Sequence, residues 1–88
     1  MVFEALAHPT RRAILERLKE GSKSAGELAA EFAVSKPTMS GHFAKLKAAN
    51  LIHADQRGTK IIYSINMSLL EEVLMGFMER MAGKRSEG

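Results

Sequence analysis

The sequence contains no cysteine, and that one absence removes a disulfide framework, a thiolate zinc site and a cysteine nucleophile together. It has no apolar run approaching the roughly 20 residues of a membrane-spanning helix. Its opening, MVFEALAHPTRR, lacks the charged, apolar and small-residue order of a signal peptide. Also missing are a glycine-rich phosphate loop, a pair of catalytic carboxylates and a Ser/His/Asp arrangement with recognisable local context. These absences lead to the expectation of a soluble, cytoplasmic protein without membrane insertion and without enzymatic activity. What is present is ordinary globular usage, 45% hydrophobic and 26% charged residues, so the chain should fold. Its 88 residues suffice for one core and not for two.

The net charge of +3 is unevenly spread. Residues 1–34 carry five basic and five acidic side chains, and residues 61–88 carry three basic against four acidic. Between them Lys36, Lys45, Lys47, Arg57 and Lys60 face Asp55 alone. The surplus positive charge therefore sits in one middle segment, the pattern of a localised anion-binding surface. A chance cluster on a solvated face is the bland alternative.

Val2, Phe3 and Leu6 have helical spacing, and the first helix should stop at His8-Pro9 because a residue before proline disfavours the helical region. Pro9 then suits the first turn of a second helix, with Ala13, Ile14, Leu15 and Leu18 inside and Gly21 at its end. Ser24 and Glu27 have capping-box spacing for a third helix marked by Leu28 and Phe32. Ser35 can cap a fourth, with Pro37 in its first turn. There Met39, Phe43, Leu46 and Asn50 form the predicted buried stripe, Asn50 doubling as the terminal cap. Pro37, Thr38, Gly41, Lys45 and Ala48 lie opposite as a small, basic outward face. From Leu51 the period changes to two, and Ile61, Tyr63 and Ile65 alternate with Ile62 and Ser64. Arg57-Gly58-Thr59-Lys60 interrupts the two extended runs, giving a β-hairpin with a basic tip. Asn66 or Ser68 can cap a last helix, whose broad stripe contains Leu69, Leu70, Val73, Leu74, Phe77, Met78 and Met81.

Ala29, Val34 and Met39, five residues apart in each step, are the positions at which two helices of a helix-turn-helix pack across a tight turn. A basic hairpin follows at once. Together they favour DNA binding, with Lys36, Thr38, Ser40 and Lys45 as candidates on the recognition helix and Arg57 and Lys60 on the wing. Ser35 is a candidate phosphate donor at the helix N-terminus, and His42 a donor at the rim of the buried stripe. A protein-interaction adaptor with an incidental basic surface is the rival reading, since fold does not settle function.

HPTRRAILERL, VSKPTMSGHFAKLKAANLI and RGTKIIYSIN resemble the second helix, recognition helix and wing of the arsenic-repressor (ArsR) family, over about residues 3–66. The resemblance implies a mainly α fold with a small β-hairpin, a winged helix-turn-helix over residues 1–83 ahead of a frayed polar tail at 84–88. It also implies a transcriptional repressor that binds double-stranded operator DNA of pseudo-palindromic sequence as a homodimer, through its first and last helices. Val2, Phe3, Leu6, Leu70, Val73, Leu74, Phe77, Met78 and Met81 are the candidate interface, because the last helix has more apolar face than a small core can cover. Metal-sensing members carry a Cys pair on the third helix or an Asp/His set on the last, and ELAAEF and SLLEEVLMGFMERM offer neither. The chain is thus most similar to the cysteine-free, SdpR-type autorepressors. No metal or cofactor is expected, and release falls to an unidentified protein or small-molecule effector. His8, His42 and His53 have no ligand spacing, and Met75, Met78 and Met81 suit adaptable packing. Gly41 replaces a long polar side chain common in the family, at a cost of about 1 kcal/mol relative to Ala in a helix interior.

Overall fold

A computed structural model describes the backbone of residues 1–87 and the side chains of residues 1–83. The tail expected to fray at 84–88 lies outside the described side chains. The elements run α1 (Val2–Leu6), α2 (Pro9–Leu18), β1 (Lys23–Ser24), α3 (Ala25–Glu31), α4 (Lys36–Ala48), β2 (Ile52–Arg57), β3 (Lys60–Ile65) and α5 (Met67–Glu87). The three strands form one antiparallel sheet in the order β1-β3-β2. Lys23 pairs with Tyr63 on one side of β3, and Ala54 pairs with Tyr63 on the other. The expected hairpin is therefore the larger part of a three-stranded sheet.

Local chemistry sets these boundaries. His8 caps α2, its ring nitrogen accepting from the Thr10 N–H at 3.1 Å. Ser24 and Glu27 close a reciprocal capping box on α3, at 3.0 and 2.8 Å. Of the two candidate caps for α5, Asn66 serves, accepting from the Leu69 N–H at 3.2 Å. Asn50 does not belong to the buried stripe as expected; it is exposed, one residue beyond the C-cap Ala49, at φ +61°. Its N–H donates to the Lys47 carbonyl at 2.9 Å, and the Leu51 N–H donates to the Leu46 carbonyl at 3.0 Å. This is a Schellman ending, sealed by contact-forming apolar residues at its two ends, Leu46 and Leu51, both fully buried.

The core joins Ile14, Leu15 and Leu18 of α2 to Leu28 of α3, to Met39, Phe43 and Leu46 of α4, and to Ile52 and Tyr63 of the sheet. The rings of Phe43 and Tyr63 meet at 4.6 Å and fix α4 against β3. Val34, in the bend between α3 and α4, is less buried than the two-helix packing pattern predicts, at 37% exposure. The helix-turn-helix of α3 and α4, followed by the β2–β3 wing, is present. Beyond this core α5 projects, giving extents of 54 × 23 × 20 Å.

Asn50 yields a stability test, since a β-branched residue in the left-handed region is strained by roughly 1–2 kcal/mol whereas glycine is not. Urea unfolding should show Asn50→Val destabilised by about that amount and Asn50→Gly close to wild type. Equal losses in both variants would mean that the Asn50 side chain, not its backbone, matters.

Candidate nucleic-acid interface

The α4 helix begins where Ser35 accepts from the Thr38 N–H at 3.3 Å and donates its own hydroxyl proton to Thr38 Oγ1 at 2.9 Å. Both hydroxyls are engaged in the cap. Along the helix Met39, His42, Phe43, Leu46 and Ala49 are buried and span an arc of about 120° at 3.6 residues per turn. The face directly opposite holds Pro37, Ser40, Gly41, Ala44 and Ala48, all exposed and all small. Lys36 and Lys47 line one edge of that face, and Lys45 and Thr38 the other. Compared with the expected stripe, the outward centre is turned away from Thr38 and Lys45 toward Ser40 and Ala44. Ser40 is the candidate whose hydroxyl has no partner among the described residues.

Lys45 extends toward α1, its Nζ 3.4 Å from Glu4 Oε2, an exposed pair worth at most about 1 kcal/mol. Lys47 joins Lys36 at the opposite edge; sequence reasoning includes it in the basic count and misses it as a site residue. The wing pairs Arg57 with Lys60 across a two-residue loop of Gly58 and Thr59, with Gly58 at φ +62°. Positive φ at the first loop residue alone suits glycine there. Asp55 holds Arg57 by a 2.8 Å bond to Nε, and Gln56 braces the tip by donating to the Gly58 carbonyl at 3.1 Å.

His42, expected as a donor at the rim of the buried stripe, is instead an interior residue. It is 6% exposed, and its Nδ1 lies 3.1 Å from Nη1 of Arg11, itself 7% exposed. Because arginine can only donate, Nδ1 accepts and the ring is neutral. Nε of Arg11 donates to the Ala5 carbonyl at 2.7 Å and Nη2 to the Glu4 carbonyl at 3.0 Å. The His8 ring lies against that of His42, tilted by 55° with centroids 4.5 Å apart. Sequence reasoning misses Arg11, although its place three, four and seven residues before Ile14, Leu15 and Leu18 puts it on the buried side of α2. Among the described residues no group of three or more His, Asp or Glu side chains lies close enough together to hold a metal ion.

Comparison with known proteins agrees with this geometry. Residues 6–54 match a family model described as a helix-turn-helix domain. The chain is 44% identical over 71 residues to the transcriptional repressor SdpR of Bacillus subtilis, covering 81% of this chain and 79% of that one. It is also 44% identical over 64 residues to the HTH-type transcriptional regulator Rv2034 of Mycobacterium tuberculosis, covering 73% of this chain and 60% of that one. The crystal structure of the ArsR family transcriptional regulator RHA00566 superposes with a TM-score of 0.86 at 30% identity, over 97% of this chain and 88% of that one.

Burial, then the neighbouring His8 and Arg11, push the His42 imidazole below its ordinary value of 6.5. A depressed histidine contributes stability that is intact above 6.5 and lost as pH falls through the lower folded value. His42→Asn keeps an acceptor facing Arg11 and cannot titrate. Urea titrations from about pH 7 down to about pH 5 should therefore show a flatter acid-side loss in His42→Asn than in wild type. Parallel curves would refute a neutral, buried His42.

Proposed function

This chain belongs to the ArsR family of winged helix-turn-helix regulators, and from that premise we propose that it is a transcriptional repressor that occupies pseudo-palindromic operator DNA as a homodimer. It acts without catalysis and without direct metal sensing. The observation that carries this reading is the outward face of α4, where small residues between two lysine-bearing edges leave a helix slim enough for a major groove. Lys36 adds to it. The residue places positive charge in the first turn of α4, where the helix dipole is already positive and no acidic residue compensates. That costs the isolated helix a few tenths of a kcal/mol and suits a phosphate docked at the helix N-terminus. In this reading Ser40 reads a base edge, Lys36 and Lys47 grip the backbone beside it, and Arg57 and Lys60 hold phosphates through the wing. Thr38 and Ser35 shape the helix start, and Lys45 flanks the far edge. No observation favours the adaptor alternative.

Dimerisation rests on α5. Leu70, Leu74, Phe77 and Met81 repeat at four- and three-residue steps and fall within an arc of about 60°. Leu74, Phe77 and Met78 stay 47%, 43% and 64% exposed. Phe3 of α1 stacks edge-on against Phe77 with ring centroids 6.2 Å apart, so α1 extends the same apolar surface. Val2, Leu6 and Leu70 pack partly into the core and tie that surface to it, and Val73 is half-buried beside them. A second copy of the same helix is the self-complementary cover that twofold symmetry provides.

Sedimentation should give a dimer for wild type at micromolar concentration and a monomer for Phe77→Glu. The variant should lose operator binding at the same time, because half-sites about one helical turn apart need both subunits. A monomeric wild type that still binds operator tightly would overturn the dimer.

The two kinds of DNA contact separate in salt titrations on operator and scrambled DNA. Ser40→Ala should cost roughly 1–3 kcal/mol on operator and little on scrambled DNA. Arg57→Ala should weaken both alike and lower the salt slope by about one per subunit. Loss of discrimination in Arg57→Ala at an unchanged slope would make the wing a sequence reader and refute this assignment.

A further inference from the structure

A groove of about 340 Å³ runs between α3, α4 and β3. It is hollow because Ala25, Gly26 and Ala29 of α3 and Ala44 of α4 are too short to fill it. A Cβ added at Gly26 would come no closer than 4.0 Å to any neighbour, the Ser24 Oγ. The floor is Met39, Phe43 and Tyr63, all buried, with Ile61 beside them. Lys36, Ser40 and Lys47 of α4 break this apolar lining. The two lysines stand about 16 Å apart along the helix, and no acidic residue among the described ones lines the groove. Neither lysine has an ion-pair partner among the described residues, unlike Lys45. The Tyr63 hydroxyl likewise has no hydrogen-bond partner among the described residues; its ring is buried and the unpaired oxygen keeps an opening to solvent.

We propose that this groove binds a small amphiphilic monocarboxylate. The hydrocarbon tail lies on Met39, Ala29 and Ile61, and the carboxylate takes the Lys47 ammonium and the Tyr63 hydroxyl. Lys47 is the head-group partner because it sits one turn beyond Phe43, whose ring packs on Tyr63. Lys36 lies at the opposite end, at the helix N-terminus. The size, the apolar walls and the few polar groups of the lining match those of small-molecule sites. The groove shares Lys36, Ser40 and Lys47 with the DNA-facing side of α4, and binding is read without DNA so that this site and the operator reading fail separately.

Tyr63 is the only tyrosine and the chain has no tryptophan, so intrinsic fluorescence reports on the groove floor alone. Titrating the full chain with octanoate should change that emission saturably. The neutral 1-octanol should bind about tenfold more weakly, since it lacks the charge-assisted contact. Lys47→Gln should erase the difference between the two probes, and Gly26→Leu, which fills the groove from α3, should abolish both responses. The proposal is overturned by an unsaturable wild-type response, by equal affinity for the two probes, or by undiminished octanoate binding in Gly26→Leu.

Discussion

A buried guanidinium without a carboxylate partner is the constraint on which the arrangement of this chain depends. Arg11 points from α2 into the joint between α1 and α4 and finds there only carbonyl oxygens and one imidazole nitrogen. The Glu4 and Ala5 carbonyls belong to the last turn of α1, where helix carbonyls run short of backbone donors and Glu4 has the Ala7 N–H at 3.1 Å. Arg12 takes the next carbonyl, that of Leu6, at 2.7 Å. Two consecutive arginines of α2 therefore close the end of a five-residue helix too short to persist alone. A hydrogen bond to a charged group contributes roughly 1.5–3 kcal/mol. Displacing α1 would break two of them at Arg11, so α1 stays where Phe3 can meet Phe77. Through His42 the same guanidinium fixes the rotation of α4 about its axis, and that rotation decides which residues face outward.

The parts of the fold legible in the sequence were those with a local cause. The capping box of Ser24 and Glu27, the Ser35 cap, both prolines in first turns and the two-residue wing loop depend on residues within four positions of one another. A period-two pattern likewise announces β2 and β3. The two-residue β1 has no period to detect, and only the free edge of β3, supplied from about forty residues away, makes Lys23 and Ser24 a strand.

The candidate site was legible in its charge and less so in its orientation. A helical wheel centred on Met39, Phe43, Leu46 and Asn50 treats histidine as polar and asparagine as a stripe member. Arg11 reverses the first assignment by giving His42 a buried partner, and the Schellman ending reverses the second by turning Asn50 out into the left-handed region. Both corrections move the buried arc the same way, which is why Ser40 and Lys47 gain in importance while Thr38 and Lys45 recede. Neither partner lies on α4 ahead of its end, so α4 read alone contains no sign of the rotation.

Gly41 shows what the chain's own packing leaves unexplained. A glycine in a helix interior costs about 1 kcal/mol relative to alanine. The usual reasons for accepting that cost are a positive φ or a neighbour too close for a Cβ. Neither applies: the backbone of Gly41 is ordinary helix, and an added Cβ would meet nothing within 4 Å. The cost is thus not offset anywhere inside the folded chain. It falls on the exposed face beside Ala48, about 40° from its centre, with the lysines set back to the edges. A helix that must lie flat on another macromolecule gains from a bare centre and charged flanks, because the backbone can then approach while the lysines reach round to anions on either side. The same arrangement on a helix facing only water would give up stability for no return.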